Sequence, residues 1–415
     1  MNTDQKRATL RSFTSVSICG PSVAILFLCF LTCGIAHAGE LRTLRSAHYL
    51  VHTDIERPLA EELAQRLDAM YDEYARRLVD FPVADPDAKF EVYLFANRDD
   101  YMRLTGGRFP NTGGIFMPGR NLLAAYVQGQ GRDGIRRAIQ HEAFHQFAYA
   151  AISPNLPIWL NEGMAQYFEE GIWTGSGFLF GQVPPRRLRQ LQHDRRQKQL
   201  VPFRTMLTMS DDAWGKTLTT DANRGATQYG QAWAMVHFLV HAANGDERYR
   251  PRLINWLRRI HAGEDSTEAF AMAFSNNIEG FAERFDEWAA ELTATPEATL
   301  IERQGVLADL LAEFVRTGKR FGDVRSFREA VVDSHARVRY TKGQVQWQTE
   351  PDVKVYFSDI QGHLFEGNEL YFDNRSTNPL PDLVCRGTGA FRLRTRFYNA
   401  AERIEHEVIC EPTGR

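Results

Sequence analysis

Apolar residues between positions 40 and 130 fall mostly into short alternating runs. Glu40 to about Asp54, around Tyr49-Leu50-Val51-His52, predicts a strand, and so do Phe90, Val92 and Leu94 within Lys89 to Phe95. Two more strands are expected at Gly113–Phe116 and Leu122–Val127, on either side of the turn Pro118-Gly119. One helix interrupts them. Pro58 stands where helices begin, and Leu59, Leu63, Leu67, Met70 and Tyr74 follow helical spacing. From Arg132 to about Leu300 that spacing dominates, with helices expected over Arg132–Ala151, Ile158–Glu170, Gln228–Ala243, Tyr249–His261, Thr267–Phe274 and Ile278–Leu292. A last helix over Glu302–Val315 precedes another change of texture. Val338–Thr341, Val345–Trp347, Val353–Phe357, Glu369–Phe372 and Phe391–Tyr398 alternate again, separated by Gly, Asn and Asp. The expected class is therefore α+β: a small sheet followed by a helical half, then a small β-rich C-terminal module.

The first residues follow a different logic. Lys6, Arg7 and Arg11 precede a nearly unbroken apolar run from Val23 to Ile35, and Ala36-His37-Ala38 supplies small residues for cleavage. The run is shorter than the roughly 20 apolar residues of a spanning helix. A signal peptide over residues 1–38 is expected, with export to the periplasm or beyond and no membrane span in the mature chain. The remainder divides into a catalytic-sized domain over 39–300 and the linker helix plus β-rich module over 301–415. A net charge of −3 over 415 residues provides no field that would draw nucleic acid. Of five cysteines only Cys385 and Cys410 lie beyond the leader. In an oxidising compartment they can form a disulfide, or remain two buried thiols that never meet.

The chemistry concentrates in the first long helix. His141-Glu142-Ala143-Phe144-His145 places two imidazoles four residues apart, one turn of helix, so both can reach one ion. Glu142 sits beside them, where its carboxylate can take a proton from activated water. Pro154 and Pro157 then force a turn, and Ile158-Trp159-Leu160-Asn161-Glu162-Gly163 opens a second helix that can present Glu162 to the same ion. Zinc (Zn2+) suits two imidazoles and a carboxylate, leaving a fourth position open.

Trp159-Leu160-Asn161-Glu162-Gly163-Met164-Ala165-Gln166-Tyr167-Phe168 resembles the signature of gluzincin zinc metallopeptidases. Across about residues 45–300 the arrangement is similar to the peptidase-MA-like domains of exported bacterial proteins. The resemblance implies a zincin-like catalytic domain, with zinc held by His141, His145 and Glu162 and Glu142 as general base. Tyr229-Gly230-Gln231-Ala232-Trp233 is similar to the helix start whose tyrosine donates to the tetrahedral oxyanion, although the glycine is displaced here. Two other departures carry weight. Gly113-Gly114-Ile115-Phe116-Met117-Pro118 lacks the acidic residue with which aminopeptidases hold a free amine, so internal cleavage of a peptide or protein, or of a cell-wall peptide, is expected instead. Gln166 replaces the aspartate that orients a ligand in thermolysin-like relatives, so that support must come from elsewhere. The alternative is a non-catalytic exported binding protein, its zincin fold a scaffold and its β-module the recognising part. The sequence sets no oligomeric state.

His237 and His241 also lie four apart, but without an intervening glutamate and on an otherwise apolar helix, and read as core or helix-end histidines rather than a second metal site. Arg186, Arg187, Arg189, Arg195, Arg196 and Lys198 read as a solvated helix face, with a substrate rim as the functional alternative. Trp173, Phe178 and Phe180 suit either a cleft wall or a loop's own small core.

Overall fold

Five strands build the sheet on which the site rests. They are β1 (Arg42–Arg45), β2 (Tyr49–Thr53), β3 (Phe90–Phe95), β4 (Gly114–Met117) and β5 (Leu122–Tyr126), in the order β1-β2-β3-β5-β4. β2, β3 and β5 run parallel, while β1 and β4 pair antiparallel at the two edges. The parallel step from β2 to β3 requires a crossover, which α1 (Arg57–Arg77) supplies with Leu59, Leu63, Leu67, Met70 and Tyr74 buried. The short helix α2 (Arg98–Thr105) connects β3 to β4; Asn97 caps it by accepting from the Asp100 N–H at 2.9 Å, and Gly106 ends it at φ +65°. The computed structural model describes residues 41–415 except 86, 111, 245–246, 343–344, 350, 367–368, 376–378, 388, 401–402 and 414–415. The leader expected at 1–38 lies outside the described residues.

The helical half begins with α3 (Gly131–Ala151) and α4 (Ile158–Glu169). Gln146 of α3 is fully buried and donates to Glu91 O at 3.2 Å and Asn121 O at 3.0 Å, which pins the helix across the sheet. Tyr74 of α1 donates to Gln140 O at 3.1 Å from the other side. A hairpin of β6 (Ile172–Trp173) and β7 (Phe178–Leu179) follows, then α5 (Pro185–Arg196), α6 (Phe203–Leu207), α7 (Asp211–Thr220) and α8 (Ala222–His241). The hairpin of β8 (Ala243–Asn244) and β9 (Glu247–Arg248) leads to α9 (Arg250–His261), α10 (Ser266–Ala273) and α11 (Ile278–Glu291). One apolar core runs from the sheet through α3, α4 and α8 to α11, with Trp159 stacked on Trp256 at 5.7 Å. α4 and α8 approach so closely that a Cβ on Gly163 would stand 2.5 Å from Ala232 O. Only glycine fits there, because backbone cannot yield as a flexible side chain can.

The C-terminal portion comprises α12 (Pro296–Arg316), α13 (Val324–Asp333), the hairpin β10 (Val338–Lys342) and β11 (Val345–Thr349), α14 (Val353–Tyr356), and an antiparallel sheet of β12 (Leu370–Asp373), β13 (Asp382–Cys385), β14 (Phe391–Ala400) and β15 (Arg403–Pro412). It has its own apolar core around Leu311, Phe327, Leu383 and Phe397. Even so, Gly39–Arg415 is one compact unit. Glu407 of β15 pairs with both Arg66 of α1 and Arg136 of α3, whose side chains are only 3% and 2% exposed. Glu405 accepts from the Arg132 N–H at 2.8 Å at the start of α3, and the Arg132 guanidinium lies 4.6 Å over the Tyr398 ring. Removing one partner from a buried pair of this kind costs roughly 3–5 kcal/mol. The architecture is thus α+β, and no helix among the described residues is long and apolar enough to cross a membrane.

One expectation is corrected, and one pair of alternatives is decided. Val353–Phe357 is not a strand: Asp352 accepts from the Lys354 N–H at 2.9 Å and caps a single helical turn, so alternating valines misled. Cys385 and Cys410 form no disulfide. Each stands opposite Leu393, on either side of β14, so a whole strand separates them. Two strand spacings amount to about 10 Å, beyond the roughly 7 Å that a disulfide tolerates. Burial raises the Cys385 thiol to about 11 and the Cys410 thiol to about 12. Both thiols are therefore expected to resist alkylation in the folded chain from Gly39 and to react as two free thiols once denatured without reductant. A chain that yields no thiol on denaturation would contradict this register.

Candidate metal centre

α3 presents His141 and His145 on one face, and α4, folded back after Pro157, brings Glu162 to them in its second turn. The Nε2 atoms of His141 and His145 are 3.1 Å apart, and Glu162 Oε2 lies 3.3 Å from the first and 3.7 Å from the second. The three side chains are 15%, 10% and 14% exposed, so they are largely shielded from water. This is the one group of three or more such side chains among the described residues that could hold a metal ion.

The outer faces of both rings are held. His141 Nδ1 lies 3.2 Å from Glu169 Oε2, and His145 Nδ1 lies 3.0 Å from Asn161 Oδ1. Because those partners are acceptors, each Nδ1 donates and each Nε2 turns its remaining valence inward. Glu162 Oε2 is buried and has no hydrogen-bond partner. Two ring nitrogens and a carboxylate oxygen thus crowd one point and need a positive charge between them. The proton affinities carry the same message. Burial opposes charge on His141, yet Glu162, Glu169 and Glu142 hold its pKa well above the ordinary value. Burial likewise opposes charge on His145, and Glu162 outweighs it. Glu162 is held well below the usual carboxylate range, against its burial, by His145 and His141. The site fits a cation.

Glu142 points to the sheet edge rather than to the imidazoles' outer faces. Its Oε2 accepts from the Phe116 backbone N–H of β4 at 2.8 Å, and a Cβ on Gly114 would sit 3.3 Å from its Cγ. Tyr229 of α8 reaches the same space, half-buried, with its ring edge-on to Trp214 at 5.1 Å. Burial, then the carboxylates of Glu162 and Glu142, raise its pKa, so the phenol keeps its proton. His141, Glu142, His145, Glu162 and Tyr229 are therefore all brought together.

The support that Gln166 does not supply comes from Glu169. Glu169 stands seven residues after Glu162, two turns along the same face of α4, and binds Arg137 at 2.8 Å through its other oxygen. That spacing was the available signal. Asn161 lies inside the motif itself, while the Phe116 N–H is a backbone group that no side-chain pattern reveals. Arg186 stays on the exposed face while Arg187 is drawn in, and both bind Glu170, which also takes Arg137 at 2.9 Å. Arg189 and Arg195 do pair at the surface, with Glu302 and Asp286. Trp173, Phe178 and Phe180 pack mainly on each other, on Phe168 and under Arg66 and Arg77. His237 is a buried core histidine, while His241 is an exposed histidine at the end of α8, 3.0 Å from the Tyr167 hydroxyl. Burial first, then neighbouring charges, lower them to about 3 and about 4, so they stay neutral.

Fold and site together define an α+β protein whose sheet-backed helix α3 carries two members of a side-chain group that could hold a metal ion. Residues 136–256 match a family described as a protein of unknown function, DUF1570, a stretch that runs from α3 into α9 and contains all five of these residues. Among curated proteins, none matches this chain.

If Glu169 fixes the His141 ring, Glu169→Ala should weaken divalent-metal binding about 10- to 100-fold while the chain stays folded. Competition with a chromophoric chelator measures this. Unchanged affinity would remove Glu169 from the site.

Proposed function

We propose that this chain is a zinc-dependent metallopeptidase that cleaves internal peptide bonds. The observation that carries the reading is the convergence of His141, His145 and Glu162 beside Glu142. Tetrahedral donors about 2.0–2.1 Å from an ion lie roughly 3.3–3.4 Å apart, and the three separations here are 3.1, 3.3 and 3.7 Å. Two imidazoles and one carboxylate leave a fourth position open, as hydrolytic zinc sites do. Bound there, zinc would act as a Lewis acid toward a carbonyl oxygen and would acidify water.

The remaining work falls to the chain's own groups. Glu142, adjacent on α3, accepts the proton of the attacking water and passes it to the leaving amine. The Phe116 N–H fixes the carboxylate's position at the edge of the sheet. Tyr229, its proton held by burial and two carboxylates, donates to the carbonyl oxygen as that oxygen gains charge. β4 is an edge strand, so an extended peptide can lie along it beside the metal centre. The 113–118 stretch carries no acidic side chain to capture a free amine, which favours internal bonds over terminal ones. Export through the leader at residues 1–38 belongs to the same proposal and rests on the sequence pattern alone.

Glu142→Gln should lower turnover of unmodified protein or peptide substrates by at least about a hundredfold while leaving zinc bound. Full activity in that variant would refute the base assignment. Activity in the parent that survives complete removal of metal would refute the metallopeptidase reading itself.

A further inference from the structure

Tyr149 is the one large aromatic among the described side chains that is exposed, 38% accessible. Its place on α3 is not arbitrary. Successive helical residues turn by about 100°, so with His141 at zero, His145 stands at about 40° and Glu142 at about 100°. Tyr149 falls at about 80°, between the two, on the face that the metal centre occupies. Glu142 and Tyr149 are seven residues apart, roughly 10.5 Å along the helix. On the opposite side of the centre the same arc carries Ala138, at about 60°, which offers only a methyl group.

The sheet edge repeats this asymmetry. Gly114 and Phe116 project to the same face of β4, toward α3. Gly114 is buried and lets β4 pack closely on Glu142, since a Cβ there would stand only 3.3 Å from the Glu142 Cγ. Phe116 fills the next position: its N–H holds Glu142, and its ring meets the Tyr149 ring at 5.6 Å, inclined by 60°. Phe116 is only 7% exposed, so it forms the floor and Tyr149 the accessible surface. Where α3 meets β4 there are therefore small residues on one side of the base and an aromatic shelf on the other.

We infer that Tyr149, backed by Phe116, is a specificity-determining residue that receives a bulky apolar or aromatic side chain of the substrate peptide. An extended peptide advances about 3.3 Å per residue, so the shelf serves a position within about three residues of the cleaved bond. The inference rests on the peptidase reading above and adds the substrate preference of that site. Aromatic pairing favours such a side chain over alanine, through both its area and its ring geometry.

The experiment is digestion of one mixed peptide library by the zinc-loaded parent, Tyr149→Ala and Tyr149→Phe, with cleavage positions read by mass spectrometry and zinc content measured for each. The parent should enrich bulky apolar residues at one position within three of the cut. Tyr149→Ala should reduce that enrichment about tenfold, chiefly through KM, with zinc content unchanged, and Tyr149→Phe should retain it. Cleavage by the parent without such a preference, or the same preference in Tyr149→Ala, would overturn the inference and leave the peptidase reading standing. No cleavage by the zinc-loaded parent would overturn both.

Discussion

Two imidazole nitrogens and a carboxylate oxygen, 3.1 to 3.7 Å apart and largely shielded from water, impose the constraint from which the surrounding structure follows. Such donors repel one another unless a positive charge lies between them, so every neighbouring element must hold them in place. Glu169 and Asn161 fix the two rings from behind. Gly163 lets α4 settle against α8 closely enough to deliver Glu162 and Tyr229 to the same space. Gln146, next to His145, ties α3 to the sheet through two backbone carbonyls. The geometry is held by rigid elements rather than loops, which is what a preorganised site requires.

The buried ion pairs behind the centre extend that support. Arg137 binds Glu169 and Glu170, and Glu170 in turn takes Arg186 and Arg187 from α5. One residue before Arg137, Arg136 joins Arg66 of α1 in meeting Glu407 of the C-terminal sheet. The β-rich portion is thus fastened to the helix that carries His141, with charges that would be costly to expose. It completes the surroundings of α3, a role that fits an integral part of the fold better than an appended recognition module.

Much of this was legible in the sequence, for identifiable reasons. The helical period placed α1, α3, α4, α8, α9 and α11, because long amphipathic segments carry the strongest signal. His141, Glu142, His145 and Glu162 stood out because a metal demands particular residue types at helical spacing. The short helices α2, α6 and α7 had too few apolar repeats to register. β15 was missed because Glu405 and Glu407 look like loop residues until Arg66, Arg132 and Arg136 are brought to them from far along the chain. Cysteine parity suggested a disulfide, but parity carries no information about register, and β14 separates the two thiols.

The most direct test of the central claim is the metal content per chain of the folded protein from Gly39, measured by elemental mass spectrometry beside a His145→Ala control. Close to one zinc in the parent and little in the control is the expected result. Folded parent that takes up no zinc when supplied with it would contradict the account, because the arrangement of His141, His145 and Glu162 would then be satisfied by a proton alone.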